Sequence, residues 1–154
     1  MCDTVFVNTA GVMMMGYLFV YGTLMSGCSN HSILEPYILS LRPAAVRGQI
    51  WHLPEGYPML FVGSGQVYGE LIQYDDEQKV MAQLDELEEY YGEGNKNNYY
   101  ERTLMMVTDL ADLTYDAWVY RCPTDKEVVL KTQGIFISSG DWRNFQQKTS
   151  LHLE

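Results

Sequence analysis

The chain has 154 residues and carries 20 acidic side chains against 10 basic ones, which gives a net charge of -10. This length fits one domain. No cluster of Lys and Arg is present, and the acidic balance argues against nucleic acid or an anionic membrane surface as a partner, because both require grouped positive charge. No run of about 18 apolar residues occurs, so the sequence predicts no transmembrane helix.

Cysteine and histidine give no sign of a disulfide framework or a metal site. The three cysteines, Cys2, Cys28 and Cys122, form no CxxC pair, and the three histidines are scattered along the chain. The sequence therefore predicts reduced thiols, a cytoplasmic protein and no metal site.

The N-terminal stretch is apolar, but no Lys or Arg precedes Arg42. A signal peptide begins with basic residues, so this stretch does not match one. Three consecutive methionines at positions 13–15 offer alternative starts. We therefore expect residues 1–15 to be a flexible leader and residues 16–150 to form the single domain.

Short strands separated by turns account for most of that domain. The run YLFVY at residues 17–21 is typical of a buried strand, and it ends at Gly22. A short helix is predicted from Asn30 towards Leu39, although Pro36 opposes it. LPEGY at 53–57 predicts a turn, and GSG at 63–65 predicts a hairpin turn. Further strands are predicted at residues 45–51, 59–62, 67–74, 99–107, 115–121 and 135–137. The pattern indicates an α+β domain.

One strong helix is predicted at residues 75–91, with Asp75 and Gln78 resembling a capping box. At about 100° per residue, the apolar residues of this helix fall on one stripe. They are Val80, Met81, Leu84, Leu87 and Tyr91. Glu88 lies about 40° from Leu84 and therefore inside the stripe.

Glu88 is exceptional because neither a cap nor the helix dipole explains an inward carboxylate near the C-terminal end. Burial and the negative end of the dipole both raise the pKa of a carboxyl group, and a general base at neutral pH needs such a pKa. Two structural alternatives stay open: the helix end frays, or Glu88 pairs with a buried Arg such as Arg102. The polar loop at residues 92–98 (GEGNKNN) follows directly and is a candidate lid.

An ordered series of short motifs resembles the γ-glutamylcyclotransferase-like family. The series covers about residues 17–143. It consists of FVYGTL at 19–24, GCSNHSIL at 27–34, GQIW at 48–51, GYP at 56–58, VYGEL at 67–71, LDELE at 84–88, YYERT at 99–103, AWVY at 117–120 and SGDWR at 139–143. Each motif alone is weak, and their common order carries the resemblance. Leu87 departs from the family pattern, where Phe is usual.

The resemblance implies a compact mixed β-barrel wrapped by a few helices. It also implies release of an amine and 5-oxoproline from a γ-glutamyl amine, with Glu88 as the catalytic acid/base. The substrate would be held by Tyr21, Gly22, Thr23 and Leu24, and the backbone N–H groups of the last three suit an oxyanion or a carboxylate. Tyr120 would line the pocket. No metal and no cofactor are implied.

Two other functions stay open for the same pocket. The domain could hold a small acid without turnover, or it could be an acyltransferase that passes the γ-glutamyl group to another amine. The leaving amine is left open between a γ-glutamyl amino acid, an ε-(γ-glutamyl)lysine isopeptide and a γ-glutamylated metabolite. We expect a small-molecule substrate, and a chain that is a monomer or a weak homodimer.

Overall fold

The computed structural model describes residues 15–152. The predicted leader, apart from Met15, lies outside the described residues. Within these residues, six strands and three α-helices follow one another. The strands are β1 (Gly16–Val20), β2 (Ile38–His52), β3 (Pro58–Tyr74), β4 (Glu101–Asp109), β5 (Thr114–Arg121) and β6 (Ile135–Phe136). The helices are α1 (Glu77–Leu87), α2 (Glu127–Gln133) and α3 (Trp142–His152).

Five of the strands close into a mixed barrel. The sheet order is β3-β1-β5-β4-β2-β6, and β2 also pairs with β3, which closes the ring from β3 back to itself. The β1–β5 pair is parallel, and the other pairs are antiparallel. Strand β6 adds to β2 outside the ring. The prediction of an α+β fold, a compact mixed β-barrel with a few helices, is confirmed.

Strands β2 and β3 form one long antiparallel hairpin. Its turn is LPEGY, as predicted, closed by the Leu53 N–H donating to the Tyr57 carbonyl at 2.9 Å. The predicted hairpin turn at residues 63–65 is wrong, because β3 runs without interruption through them. Their glycines lie in a bulge instead: the register passes from Arg47 opposite Gln66 to Gln49 opposite Phe61. A bulge accommodates extra residues without reversing the chain.

Helix α1 is shorter than predicted. It begins after Asp76, whose side chain accepts from the Lys79 N–H at 3.5 Å, so the predicted cap at Asp75 is wrong by one residue. It ends in a Schellman motif: the Tyr90 N–H donates to the Asp85 carbonyl at 2.9 Å, and Glu89 is left-handed with φ 52°. Glycine is usual at that position. Because Glu89 stands there instead, the sequence carried no signal for the end of the helix.

The apolar stripe of α1 is only partly as predicted. Val80, Met81 and Leu84 are buried against the barrel. Leu87 is the last residue of the helix and Tyr91 lies beyond its end, and both are exposed. Two single 3₁₀ turns, His31–Ile33 and Glu35–Tyr37, replace the short helix predicted from Asn30. Helices α2 and α3 were not predicted.

The core fills the inside of the barrel. Many of its fully buried side chains come from β1, β2, β3 and β5, including Leu18, Phe19, Ile50, Leu60, Val67, Ile72 and Val119. None of the helices within residues 15–152 is both long enough and apolar enough to cross a membrane.

Candidate active site

A cleft of about 160 Å³ lies where β1 ends beside the C-terminal end of α1. The residues that the sequence analysis selected all line it: Tyr21, Gly22, Thr23, Leu24, Glu88 and Tyr120. The fold thus brings together two motifs separated by more than 60 positions in the printed sequence. Their roles in binding and catalysis stay predictions.

The loop after β1, residues 21–30, is folded tightly on itself. The Met25 N–H donates to the Gly22 carbonyl at 3.0 Å, and the Asn30 N–H donates to the Thr23 carbonyl at 2.8 Å. The Asn30 amide Nδ2 also donates to Thr23 Oγ1 at 3.0 Å. Within residues 15–152, no protein acceptor takes the backbone N–H of Gly22, Thr23 or Leu24. Among the described residues, these three consecutive donors are therefore left without a protein acceptor.

Gly22 has a packing role that the sequence analysis did not foresee. A Cβ at this position would lie 2.8 Å from Cγ and 3.0 Å from Cδ of Pro58. The structure shows that the vacant Cβ position is closed by the Pro58 ring, which brings β3 against the loop.

The hydroxyl of Tyr21 makes two hydrogen bonds to the barrel backbone. It donates to the Tyr120 carbonyl at 2.5 Å and accepts from the Leu60 N–H at 3.1 Å, and the side chain is buried. Burial, and next the nearby charge of Glu88, raise the pKa of Tyr21 well above its ordinary value. Tyr21 therefore contributes to the cleft as a neutral wall residue that ties β1 to β3 and β5.

The hydroxyl of Tyr120 is also hydrogen-bonded within the protein. Its Oη donates to Asp85 Oδ1 at 2.7 Å, and Arg102 Nε lies 3.4 Å from the same oxygen. The Arg102 guanidinium stacks over Trp118, 4.6 Å from the ring centroid. Arg102 thus pairs with Asp85, and the alternative in which it pairs with Glu88 is wrong.

The carboxyl group of Glu88 stands alone in the cleft. Its backbone N–H still donates to the Leu84 carbonyl at 2.8 Å, which continues the last helical turn and turns the side chain toward the barrel. In the part of the chain that the structure describes, no side chain or N–H group pairs with the carboxyl. Burial raises the pKa of Glu88 to about 7. An unpaired carboxyl with this pKa can accept and return a proton near neutral pH.

Aromatic residues that the sequence analysis did not select form the facing wall. They are Tyr57, Tyr99 and Tyr100, with ring centroids 5.4–6.5 Å apart. The Tyr100 hydroxyl donates to the Pro58 carbonyl at 2.9 Å. The motifs GYP and YYERT contained these residues, but nothing in their spacing indicated that they meet.

The loop at residues 92–98 does not line the cleft. Asn98 is fully buried and holds the loop closed: its Oδ1 accepts from the Tyr91 N–H at 2.6 Å, and its Nδ2 donates to the Gly92 carbonyl at 2.7 Å. The Lys126 ammonium also donates to the Asn98 carbonyl. The polar composition of this loop did not indicate a buried anchor. Its role as a lid stays a prediction.

Within residues 15–152, no group of three or more His, Cys, Asp or Glu side chains is placed to hold a metal ion.

Comparison with known proteins places this arrangement in a family. Residues 18–144 match the family model described as γ-glutamyl cyclotransferase, AIG2-like. The chain belongs to the AIG2-like γ-glutamyl cyclotransferase family. The match spans both the loop after β1 and the end of α1, so both walls of the cleft lie inside it.

One curated member of the family is similar over most of its length. The γ-L-glutamyl-butirosin B γ-glutamyl cyclotransferase of Niallia circulans is 30% identical over 144 residues, which are 94% of this chain and 86% of that protein. Membership and this relative together indicate a γ-glutamyl cyclotransferase activity.

Solved structures share the fold at lower identity. YkqA from Bacillus subtilis has a TM-score of 0.64 at 23% identity, covering 89% of this chain and 43% of YkqA. PH0828 from Pyrococcus horikoshii has a TM-score of 0.61 at 20% identity, covering 90% of this chain and 99% of that one. These likenesses show the closed barrel and its helices.

Proposed function

We propose that this chain releases a free amine and 5-oxoproline from a γ-glutamyl amine, with Glu88 as general acid and base and without a cofactor. The observation that carries the proposal is the shared cleft: the unpaired carboxyl of Glu88 and the three free N–H groups of residues 22–24 line one small cavity. A base and an anion-binding backbone are the two parts that cyclisation of a glutamyl group requires.

The substrate supplies its own nucleophile. The nitrogen of its α-amine attacks the γ-carbonyl carbon, which forms the ring C–N bond, and the C–N bond to the leaving amine then breaks. Glu88 takes a proton from the attacking α-amine and returns one to the leaving nitrogen, so no water is consumed. This chemistry needs no Ser or Cys nucleophile from the protein.

The free N–H groups of Gly22, Thr23 and Leu24 have two tasks in this proposal. They bind the α-carboxylate or the developing oxyanion of the substrate, and they hold the flexible glutamyl chain in a folded pose. Fixing that pose removes an entropic barrier to ring closure. The neutral Tyr21 and Tyr100 walls exclude water and leave the Glu88 carboxyl partly desolvated.

The experiment that tests the proposal is a screen of γ-glutamyl amines with product analysis by mass spectrometry. We expect equal amounts of 5-oxoproline and free amine. A new γ-glutamyl amide in place of 5-oxoproline would show acyl transfer. Binding without turnover of any γ-glutamyl amine would show a small-acid-binding module. Either result would overturn the proposal.

The charges around the cleft favour a cationic leaving amine. Glu88 and Glu89 both line the cleft, and none of its described lining residues is Lys, Arg or His. Burial raises the pKa of Tyr57, and the negative charges of Glu55 and Glu89 raise it further, which places both carboxylates near this wall. We therefore propose that the amine of the true substrate carries a second, positively charged group.

We expect kcat/KM for γ-glutamyl-putrescine to exceed that for γ-glutamyl-γ-aminobutyrate by about tenfold, or ~1.4 kcal/mol. The two leaving amines have chains of the same length and differ in the sign of the terminal charge, so like-charge repulsion decides between them. Initial rates of 5-oxoproline release measure the ratio. Glu89→Gln should reduce it, whereas Glu86→Gln, at an exposed position of α1, should not. Equal rates for both substrates would contradict the prediction.

A further inference from the structure

A buried carboxylate outside the cleft holds the loop that forms it. Glu70 lies on β3 opposite Val20, the last residue of β1, and only 7% of it is exposed. Both of its oxygens accept from Ser26: Oε1 from the backbone N–H at 2.6 Å, and Oε2 from the hydroxyl at 2.5 Å. Ser26 follows Leu24, the last of the loop residues with a free N–H, by two positions.

Arg143, in the first turn of α3, contacts both Ser26 and Glu70. Its Nη2 donates to the Ser26 carbonyl at 2.7 Å and lies 3.6 Å from Glu70 Oε2. The backbone N–H, the hydroxyl and the carbonyl of Ser26 are thus all held by two side chains from distant parts of the chain. Neither Glu70 nor Arg143 lines the cleft.

We infer that Glu70 is a positioning residue that fixes the loop of residues 21–26 in the shape that presents its free N–H groups to the substrate. The inference rests on the proposed function. The segment from Gly22 to Ser26 is short, and the Met25 N–H that donates to Gly22 lies between the free donors and the anchor. A shift of Ser26 therefore moves the donors, and an anion site loses affinity when its donors are misplaced.

A carboxylate suits this task better than its amide. Two donors of Ser26 converge on two oxygens, and only an ionised carboxylate accepts at both positions. In glutamine one of these two oxygens becomes an NH2 group, so the Ser26 hydroxyl must turn from donor to acceptor and Arg143 loses its charged partner. Glu70→Gln is therefore expected to loosen the loop without changing the volume at the site.

Asp109 provides a matched control. It is also a buried carboxylate, with 8% exposed, and it is paired with an arginine, since Arg42 Nη1 lies 3.6 Å from its Oδ2. It does not line the cleft. Asp109→Asn should cost stability for the same electrostatic reasons as Glu70→Gln, but it should not disturb the substrate loop.

The test compares the full-length wild type, Glu70→Gln and Asp109→Asn with γ-glutamyl-putrescine as the probe. We expect Glu70→Gln to raise KM about tenfold while kcat falls less than threefold, because the loop binds the glutamyl group and Glu88 still moves the proton. In the pH profile of kcat, activity should still fall below about pH 7, because Glu88 is unchanged in this variant. We expect Asp109→Asn to leave KM within twofold of wild type. An unchanged KM in Glu70→Gln, or an equal rise in Asp109→Asn, would overturn the inference.

Direct binding separates this inference from the proposed function. In a Glu88→Gln background, calorimetry measures the Kd for the same probe without turnover, and adding Glu70→Gln should raise that Kd about tenfold. If Glu88→Gln turns over normally, the proposed role of Glu88 fails, and the KM comparison of the wild type with Glu70→Gln decides the role of Glu70 instead. If no variant, the wild type included, turns over the probe, the proposed function fails and the Kd comparison still decides the role of Glu70. If Glu70→Gln does not fold, Ser26→Ala replaces it: a rise in KM of about threefold supports the inference, and an unchanged KM overturns it.

Discussion

Replacement of Glu88 with glutamine is expected to lower kcat for 5-oxoproline release by about a thousandfold, within the range of roughly 10²–10⁴ for loss of a general acid–base. Glutamine keeps the shape of the side chain and cannot take up the proton of the α-amine. KM should change little, since the glutamyl group is held by the loop at residues 21–24. Stopped 5-oxoproline assays under saturating substrate measure the effect.

The pH dependence of wild-type activity should reflect the titration of Glu88. Burial raises the pKa of Glu88 to about 7, and the carboxylate form is the one that accepts the proton. Activity should therefore fall as the pH drops through 7, well above the pH at which an exposed Glu would protonate. The residual activity of Glu88→Gln should lack this limb, although the titration of the substrate's own amine persists.

Glu86→Gln is the matched control, since Glu86 lies on α1 two residues earlier and is exposed. It should retain the wild-type kcat and the acid limb near pH 7. Wild-type turnover in Glu88→Gln would rule out Glu88 as the acid–base group. A large fall in kcat in both variants would indicate that the end of α1 is disrupted, and circular dichroism would detect that loss of helix.

The strands and the inward carboxylate could be predicted because both depend on local patterns, whereas the closed barrel was implied only by the resemblance of the ordered motifs to a family. Runs such as YLFVY mark strands by composition, and one turn of helical arithmetic placed Glu88 inside the apolar stripe. Glu88 lies on that side although the helix ends at Leu87, because the Glu88 N–H still donates a helical hydrogen bond to the Leu84 carbonyl. The bulge at residues 62–65 could not be predicted, since glycines fit a bulge and a hairpin turn equally well.

The missed parts of the site depend on contacts between distant segments. Tyr57 and Tyr99 meet only after β3 and β4 take their places in the barrel, and no spacing in the chain encodes that meeting. Glu70 looked like one polar residue in a strand. Its importance appears only when Ser26 and Arg143, separated by 117 positions, converge on it.

The unusual position of Glu88 should also reduce the stability of the folded protein in a pH-dependent way. The folded state keeps the Glu88 proton up to about pH 7, whereas the unfolded chain releases it near the ordinary pKa of a glutamate, 4.5. Because the folded-state pKa is the higher one, the stability that this proton contributes is present below pH 4.5 and is lost as the pH rises through 7. Glutamine does not titrate, so Glu88→Gln escapes this loss.

The free energy of unfolding of Glu88→Gln should therefore exceed that of the wild type by a margin that grows by about 2 kcal/mol between pH 5.5 and pH 8. Urea unfolding at both pH values measures the margin, and Glu86→Gln should show no such growth. A margin independent of pH would mean that the carboxyl titrates as an exposed one, and it would also remove the physical basis for its role as a base. A loss of activity coupled to a gain in stability is the pattern expected where a desolvated group is retained for chemistry at the expense of the fold.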